Sequence, residues 1–479
     1  MQITPGTFVA LSPELLTFVF SMLVLMIGIF NPRSFALTAG LAAFGSVVTF
    51  AATGVLLATG VQGSFFGDGY VVDDFALYFK LIVVLSAFFA VLAAARWAGR
   101  TGDAPEYLAL ILSVTLGAML LVSMRDLFGV FVAIELATIP SYALVAFDRT
   151  RRESPEGGMK YILTGMVASS ILLYGIVLIY GSAGSANLPL LMATFAGTLS
   201  PVALLGLVLL VSGFAFKVSA VPFHFWAPDA YQGAPTSAAA FLSVAPKAAT
   251  FAALLRILLE GMPGAATTWA PVMAVLAIAT MFVGNLFALR QRNVRRMLAY
   301  SSVAHSGYVL AAFVALQGAG TETAVQAILI YSAAYMVMNL GAFFVIDLVG
   351  EDGKSFNGLF ATRPGVALSM SIFMAALVGI PPFSGFFGKA WIIAAGVQSG
   401  SSAAYLAVAA LVVNSVLSVP YYFGIIRNMF FEEASASIEE PKGTGAIKFC
   451  VYALAVATTL FAFFIGPLAA LAGISSGLQ

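Results

Sequence analysis

The sequence predicts an all-α integral membrane protein of about fourteen transmembrane helices, with two inverted five-helix repeats and two interrupted helices. Three observations predict it. Of 479 residues, 61% are hydrophobic and only 9% charged, where a soluble domain carries about 25% charged residues. Apolar runs of roughly 20 residues, the length that crosses a bilayer core, recur from end to end. The basic residues left over once the loops are assigned are all lysines, and the carboxylate near the centre of a span is Glu135.

Taken in order, the runs fall near 11–30, 35–58, 75–97, 105–123, 127–147, 158–181, 201–225, 235–260, 270–288, 296–316, 322–349, 366–396, 402–425 and 446–471. The N-terminus has no positively charged leader, so the first run reads as a retained span. The seventh and twelfth runs are interrupted, by Pro222 in one and by Pro381 and Pro382 in the other, since proline removes a backbone donor and clashes with the preceding turn. The most polar stretch, 426–448, reads as a linker before the last span. No segment is long and polar enough to form a soluble domain. The chain divides into N-terminal helices (1–104), a first five-helix unit (105–260), a second, inverted unit (261–425), and the linker with the last helix (426–479).

Composition excludes several chemistries. The formal net charge of +1 argues neither for nor against a nucleic-acid partner, because where the charges sit matters more than their sum; none is expected. Cys450 is the single cysteine, which excludes a disulfide framework and any cysteine-ligated cluster. His224 and His305 lie far apart in sequence, so no metal site is expected.

Basic residues set the orientation. Loops after odd-numbered spans hold Arg33, Arg96, Arg100, Arg149, Arg151, Arg152, Lys160, Arg290, Arg292, Arg295, Arg296, Lys354, Arg363, Arg427, Lys442 and Lys448, whereas loops after even-numbered spans hold only Arg125 and Arg256. The positive-inside bias places the odd loops in the cytoplasm and both termini outside. Four basic residues remain, Lys80, Lys217, Lys247 and Lys389, all within spans.

That exclusive use of lysine points to proton chemistry. Arginine keeps its charge in proteins, whereas a desolvated lysine readily gives up its proton. A charge at bilayer depth costs about 2.5–3.5 kcal/mol even on lenient insertion scales, so it must face protein or water and is a functional candidate by default. Glu135 is the carboxylate nearest the centre of a span, and the Glu135–Lys217 pair is the expected modulator. His305 follows Glu135 by 170 residues and Lys389 follows Lys217 by 172. Five-helix units over spans four to eight and nine to thirteen explain these near-equal offsets. Because five is odd, the second unit is inverted, the plan of ion-coupled transporters with broken helices near the midplane. The prolines precede Lys389 but follow Lys217, so the correspondence is imperfect.

Other polar residues have plainer readings. Lys80 sits about five residues inside its span, close enough to snorkel to the outer interface. A neutral His305 would be satisfied by Ser301 or Tyr308. His224 reads as a local hydrogen-bonding residue, Asp229 as a cap or turn residue, and Asp347 as solvated.

The mid-span Glu135 and Lys217, the run VPFHFWAPDAYQGAPTSAAAFLSVAPK ending in Lys247, RRMLAYSSVAHSGY around His305 and GIPPFSGFFGK ending in Lys389 together resemble the antiporter-like membrane subunits of proton-pumping NADH:quinone oxidoreductase, respiratory complex I. The resemblance covers nearly the whole chain. Lysine at 389, where a sister subunit of similar length has glutamate, VDDFALYFK at 72–80, and the lack of a long C-terminal lateral helix narrow it within that family. The resemblance implies that Glu135, Lys217, Lys247, His305 and Lys389 line a hydrophilic axis for protons. It implies neighbouring antiporter-like and small membrane subunits as partners, with lipid around them. It also implies no cofactor in this chain, with FMN, iron–sulfur clusters and quinone in other subunits. In the expected cycle Lys217 takes a proton from the cytoplasmic side while Glu135 is near. The proton then passes through Lys247 and His305 towards Lys389 and is released outside. Two rival classes remain. A multisubunit cation/proton antiporter subunit would show sodium-dependent transport independent of NADH; a non-conducting scaffold would lose stability but not flux when its lysines are neutralised.

Overall fold

The computed structural model describes residues 5–31, 35–101, 103–195, 199–433, 443–466 and 470. Arg33 and Lys442 lie outside them, as do the middle of the expected linker and the end of the last expected span, and the side chains of Arg96 and Arg100 are also outside the description. The chain forms α1 (Pro5–Ala10), α2 (Ser12–Phe30), α3 (Phe35–Thr59), a hairpin of β1 (Gly63–Phe65) and β2 (Tyr70–Val72), α4 (Asp74–Thr101), α5 (Ala104–Ser123), α6 (Leu127–Val145), α7 (Glu153–Ala183) and α8 (Leu188–Thr194). It continues with α9 (Pro201–Lys217), α10 (Trp226–Gly233), α11 (Thr236–Arg256), α12 (Ala266–Ala288), α13 (Val294–Val314) and α14 (Thr321–Val349). The last elements are α15 (Leu359–Thr362), α16 (Pro364–Val378), α17 (Ser384–Gln398), α18 (Ser402–Phe431) and α19 (Gly445–Leu460). Among the described residues, eleven helices are long and apolar enough to cross a membrane, and α9, α16 and α19 are shorter apolar helices.

Burial sorts the helices into centre and rim. The spans in α11, α13 and α14 are 94% buried, whereas those in α2 and α3 are 33% buried. The central helices pack on all sides, so they present no lipid-facing stripe. The outer ones turn Phe18, Val19, Phe44 and Val47 outward, as lipid-facing residues should.

The two interrupted runs differ from straight helices in an informative way. α9 ends at Lys217, which makes this lysine the last helical residue and not the middle of a run. Ser219 then adopts φ +55°, a left-handed conformation that costs a non-glycine residue energy. The turn is held by Ala220 N–H donating to Ala215 O at 2.7 Å and Val221 N–H donating to Thr280 Oγ1 of α12 at 3.0 Å. Proline lacks a donor, so Pro222 adds no unmet group to this break. The twelfth run becomes α16 and α17, joined by Gly379–Phe383, with Pro381 and Pro382 in the join.

One boundary departs from expectation. The linker expected from 426 is helical to Phe431, because Tyr421, Tyr422, Ile425 and Met429 continue the buried face of α18 at helical spacing.

Candidate functional site

Lys217 sits where α9 stops, and α6 and α7 meet it there. Its Nζ lies 3.4 Å from Glu135 Oε1, and donates to Thr138 Oγ1 at 3.1 Å and Ser169 Oγ at 3.3 Å. Ser169 in turn donates to Glu135 Oε1 at 2.6 Å. Glu135 and Thr138 share a face of α6 because three residues span nearly one helical turn. The lysine side chain is 5% exposed and the glutamate 22%, so the pair is desolvated on one side and partly open on the other. Such a pair can be made or broken cheaply only if both charges keep other polar partners. The two hydroxyls are those partners.

Lys247, on α11, has no carboxylate in reach. Its Nζ is hydrogen-bonded to Ser219 Oγ at 2.6 Å, Ser302 Oγ at 2.8 Å and Ser306 Oγ at 3.2 Å. Hydroxyls donate as well as accept, so this cage serves an ammonium or a neutral amine. Ser219 reaches it because the left-handed turn after Lys217 aims that hydroxyl across to α11. The break in α9 thus brings the surroundings of the first lysine into contact with the second.

His305 lies on α13, 2% exposed. Its Nδ1 is 2.6 Å from Tyr331 Oη and its Nε2 is 3.2 Å from Tyr422 Oη. The expectation that Ser301 or Tyr308 would satisfy it is corrected: Ser301 pairs with Tyr422, and Tyr308 contacts the imidazole only by its ring. These tyrosines come from α14 and α18, far away in sequence.

Lys389, on α17, folds back to the end of α16, donating to Leu377 O at 3.2 Å and Val378 O at 2.6 Å. Those carbonyls are left unsatisfied where a helix ends, and the negative end of the helix dipole favours a cation there. The Tyr308 ring lies 4.7 Å from the Lys389 amine and 5.2 Å from the His305 ring, bridging the two.

Two small cavities join these groups. One of about 20 Å³ is lined by Lys217, Thr138, Tyr161 and Thr250, and another of about 20 Å³ by Lys247, His305, Ser306 and Tyr331. Each has room for one water. α11 stands between them, with Pro246 and Thr250 on one side and Lys247 and Ala248 on the other. Direct hydrogen bonds do not run continuously, since Lys247 and His305 face one cavity without bonding each other.

Several residues are placed otherwise than expected. Lys80 does not snorkel: it is fully buried, paired with Glu14 Oε1 at 2.7 Å and donating to Tyr70 Oη at 3.0 Å. An ion partner on α2 was invisible to a count of residues from the span's end. Arg256 is no loop cation either, being fully buried and held by Asp73 at 2.9 Å and by Glu260. Asp229 is an ion-pair residue, 2.9 Å from Lys160 and paired with Arg296. Although burial works to raise its pKa, these two cations hold the carboxyl below its usual range. Asp347 is half-buried. His224 is 4% exposed and its Nδ1 has no hydrogen-bond partner among the described residues.

Sequence reasoning missed the hydroxyl and phenol partners. Ser302 and Ser306 lie four residues apart and so share a face of the helix that carries His305, and Thr138 follows Glu135 by one turn, so these were within reach of a face argument. Tyr331 and Tyr422 carried no local signal.

A bundle with two interrupted helices and buried lysines beside each break is the architecture of an ion-translocating membrane protein. The family model described as "NADH:quinone oxidoreductase/Mrp antiporter, TM" matches residues 124–418, a stretch that contains all five axis residues. NADH-quinone oxidoreductase subunit N of Rubrobacter xylanophilus is 70% identical over 100% of both chains, and subunit N of Trichlorobacter lovleyi 41% identical over 88% of this chain and 87% of its own. Among solved structures, a chain of respiratory complex I from Thermus thermophilus matches with TM-score 0.81 and 31% identity, over 96% of this chain and 99% of that one. The Mrp complex from Dietzia matches with TM-score 0.85 at 23% identity, over 98% and 97%, a likeness of fold. The chain belongs to the NADH:quinone oxidoreductase/Mrp antiporter transmembrane family, and within it is similar throughout its length to the N subunits.

Proposed function

We propose that this chain is the N-type, proton-translocating membrane subunit of an NADH:quinone oxidoreductase in a bacterial cytoplasmic membrane, with both termini outside. Electron transfer from NADH to quinone takes place on flavin and iron–sulfur clusters in other subunits, and this chain carries none of them. Its work is to move protons through Glu135, Lys217, Lys247, His305 and Lys389. The observation that carries this reading is the Glu135–Lys217 pair at the end of α9, coupled through Ser219 to the carboxylate-free Lys247.

The division into N-terminal helices (1–104), a first unit (105–260), a second unit (261–425) and a C-terminal part (426–479), with fourteen spans in all, is part of the proposal. The near-equal offsets and one interrupted helix in each unit support it. In the cycle, Lys217 is protonated from the cytoplasmic side while Glu135 holds it. A charge rearrangement in a neighbouring subunit weakens that pair, and the proton moves by way of the first cavity and Ser219 to Lys247. From there it passes His305 and Tyr308 to Lys389. The hydroxyls orient water and accept or donate at each step, and the tyrosines hold the imidazole.

The rival antiporter reading requires a cation site built from hard oxygen ligands. Among the described residues, no group of three or more histidines, cysteines, aspartates and glutamates is placed to hold a metal ion. The native assembly purified through this chain is expected to contain flavin and iron–sulfur clusters and to acidify proteoliposomes on addition of NADH without sodium. Sodium-dependent exchange without NADH would overturn the reading.

A further inference from the structure

Of the four buried lysines, Lys80 stands off the axis, yet its surroundings repeat the first pair's chemistry. Its side chain is 0% exposed and that of Glu14 5%. Tyr70 Oη lies 2.7 Å from Glu14 Oε1 and receives a hydrogen bond from Lys80. Glu14 therefore uses one oxygen for both partners. The other, Oε2, is buried without a hydrogen-bond partner among the described residues, and an unmet carboxylate oxygen is costly unless water or a proton serves it. A cavity of about 620 Å³ is bordered by Glu14, Phe18, Tyr70, Leu120, Asp126 and Asn187. Glu14 and Tyr70 are buried while Asp126 and Asn187 are partly exposed, so the cavity leads from the protein surface to the ion pair.

The position fits exchange with the outer face. The β1–β2 hairpin and the α5–α6 and α7–α8 connections meet here, with Asp126 paired across to Asn187, on the side that the arginine distribution assigns to the outside. α5 is the wall between this cavity and that of Lys217: Leu120 and Met124 line the outer one, Ala118 and Leu121 the inner one. Of the other charged groups nearby, Asp73 and Glu260 are matched with Arg256 and Glu260 with Arg125, and Asp126 caps α6 by accepting from the Phe128 and Gly129 N–H groups, which leaves Glu14 and Lys80 as the ion pair beside the cavity.

We propose that Glu14, Lys80 and Tyr70 form a second proton-exchange site, which trades protons with the outer face separately from the Lys217-to-Lys389 relay. This rests on the proton-translocating reading above. The Lys80 ammonium passes its proton to the Glu14 carboxylate, giving a neutral amine and a carboxylic acid. The protonated Glu14 gives up a proton to water in the cavity it borders, and Lys80 is protonated again from the interior. Tyr70 holds both partners in register throughout.

A static staple and an exchange site respond differently to Lys80→Arg, because arginine preserves the ion pair but does not release its proton. In the complete complex reconstituted into liposomes, Lys80→Arg is expected to keep NADH-driven quinone reduction and to lower protons translocated per NADH oxidised, the outcome also expected of Lys217→Arg. Parental stoichiometry in Lys80→Arg, with loss in Lys217→Arg, would sink the second exchange site and leave the proposed function standing. Parental stoichiometry in both would sink the proposed function. Should Lys80→Arg fail to assemble, the parental complex decides by infrared difference spectroscopy: a carboxylic-acid C=O band during turnover, sensitive to deuterium and displaced in Glu14→Asp, supports exchange, and its absence refutes it.

Discussion

Lys217 and Lys247 keep different company, and the difference assigns their parts. Lys217 shares its environment with the Glu135 carboxylate; among the described residues Lys247 is hydrogen-bonded to Ser219, Ser302, Ser306 and a backbone carbonyl. Hydrogen bonds to charged groups contribute about 1.5–3 kcal/mol, so Ser219→Ala should leave assembly intact and slow proton pumping, measured as NADH-driven dye quenching in vesicles. Unchanged pumping would remove Ser219 from the path. At the surface end of the same region, the cations Lys160 and Arg296 hold Asp229 below its ordinary carboxylate range despite its burial. A depressed folded-state value contributes stability above the unfolded value of about 3.9, and that stability is lost as pH falls through the folded value. Asp229→Asn should accordingly lower the melting temperature at neutral pH and flatten its decline in acid. Equal acid sensitivity in both proteins would contradict this.

At the scale of elements, the two breaks are built in different ways. After α9 a left-handed serine and a borrowed hydroxyl from Thr280 close the turn; after α16 a glycine at φ +93° caps the helix and a lysine from α17 meets its last carbonyls. Gly385 shows how closely the second break is packed: a Cβ there would lie 1.9 Å from Ala376 O. Overpacking of this kind costs about 1–3 kcal/mol or more, so Gly385→Ala is expected to reduce the amount of assembled chain in membranes, and normal amounts would show that α17 can shift. The breaks themselves were legible in the sequence, because prolines interrupt otherwise continuous apolar runs. Where helix stops was not, since the apolar run continues past Lys217 while the backbone turns. Lys80 shows the same limit from another side: its depth was readable, but its partner comes from α2, and pairing across elements leaves no trace in spacing.

Across the whole molecule, ion pairs join elements far apart in sequence at both ends of the bundle. Arg151, on the α6–α7 loop, reaches Glu351 beyond α14 at 2.8 Å, and Arg296 of α13 reaches Asp229 of α10. At the other end Arg256 ties α11 to Asp73 before α4. Removing one partner of a buried pair costs about 3–5 kcal/mol, so Arg256→Met should destabilise the chain by that order, seen as a lower melting temperature of the purified complex. No change would mean that Asp73 and Glu260 find solvent. The buried lysines and the membrane class were readable from sequence, as they follow from charge placed in apolar runs. The tyrosines around His305 and the buried arginine were not, because both depend on which helices become neighbours.

The central claim is that the Glu135–Lys217 pair gates proton movement through this chain. Protons translocated per NADH oxidised, measured on reconstituted complex carrying Lys217→Met, test it most directly. The expected result is an assembled complex that still reduces quinone when uncoupled and translocates fewer protons per NADH than the parent. Parental stoichiometry at parental rate in that variant would contradict the account.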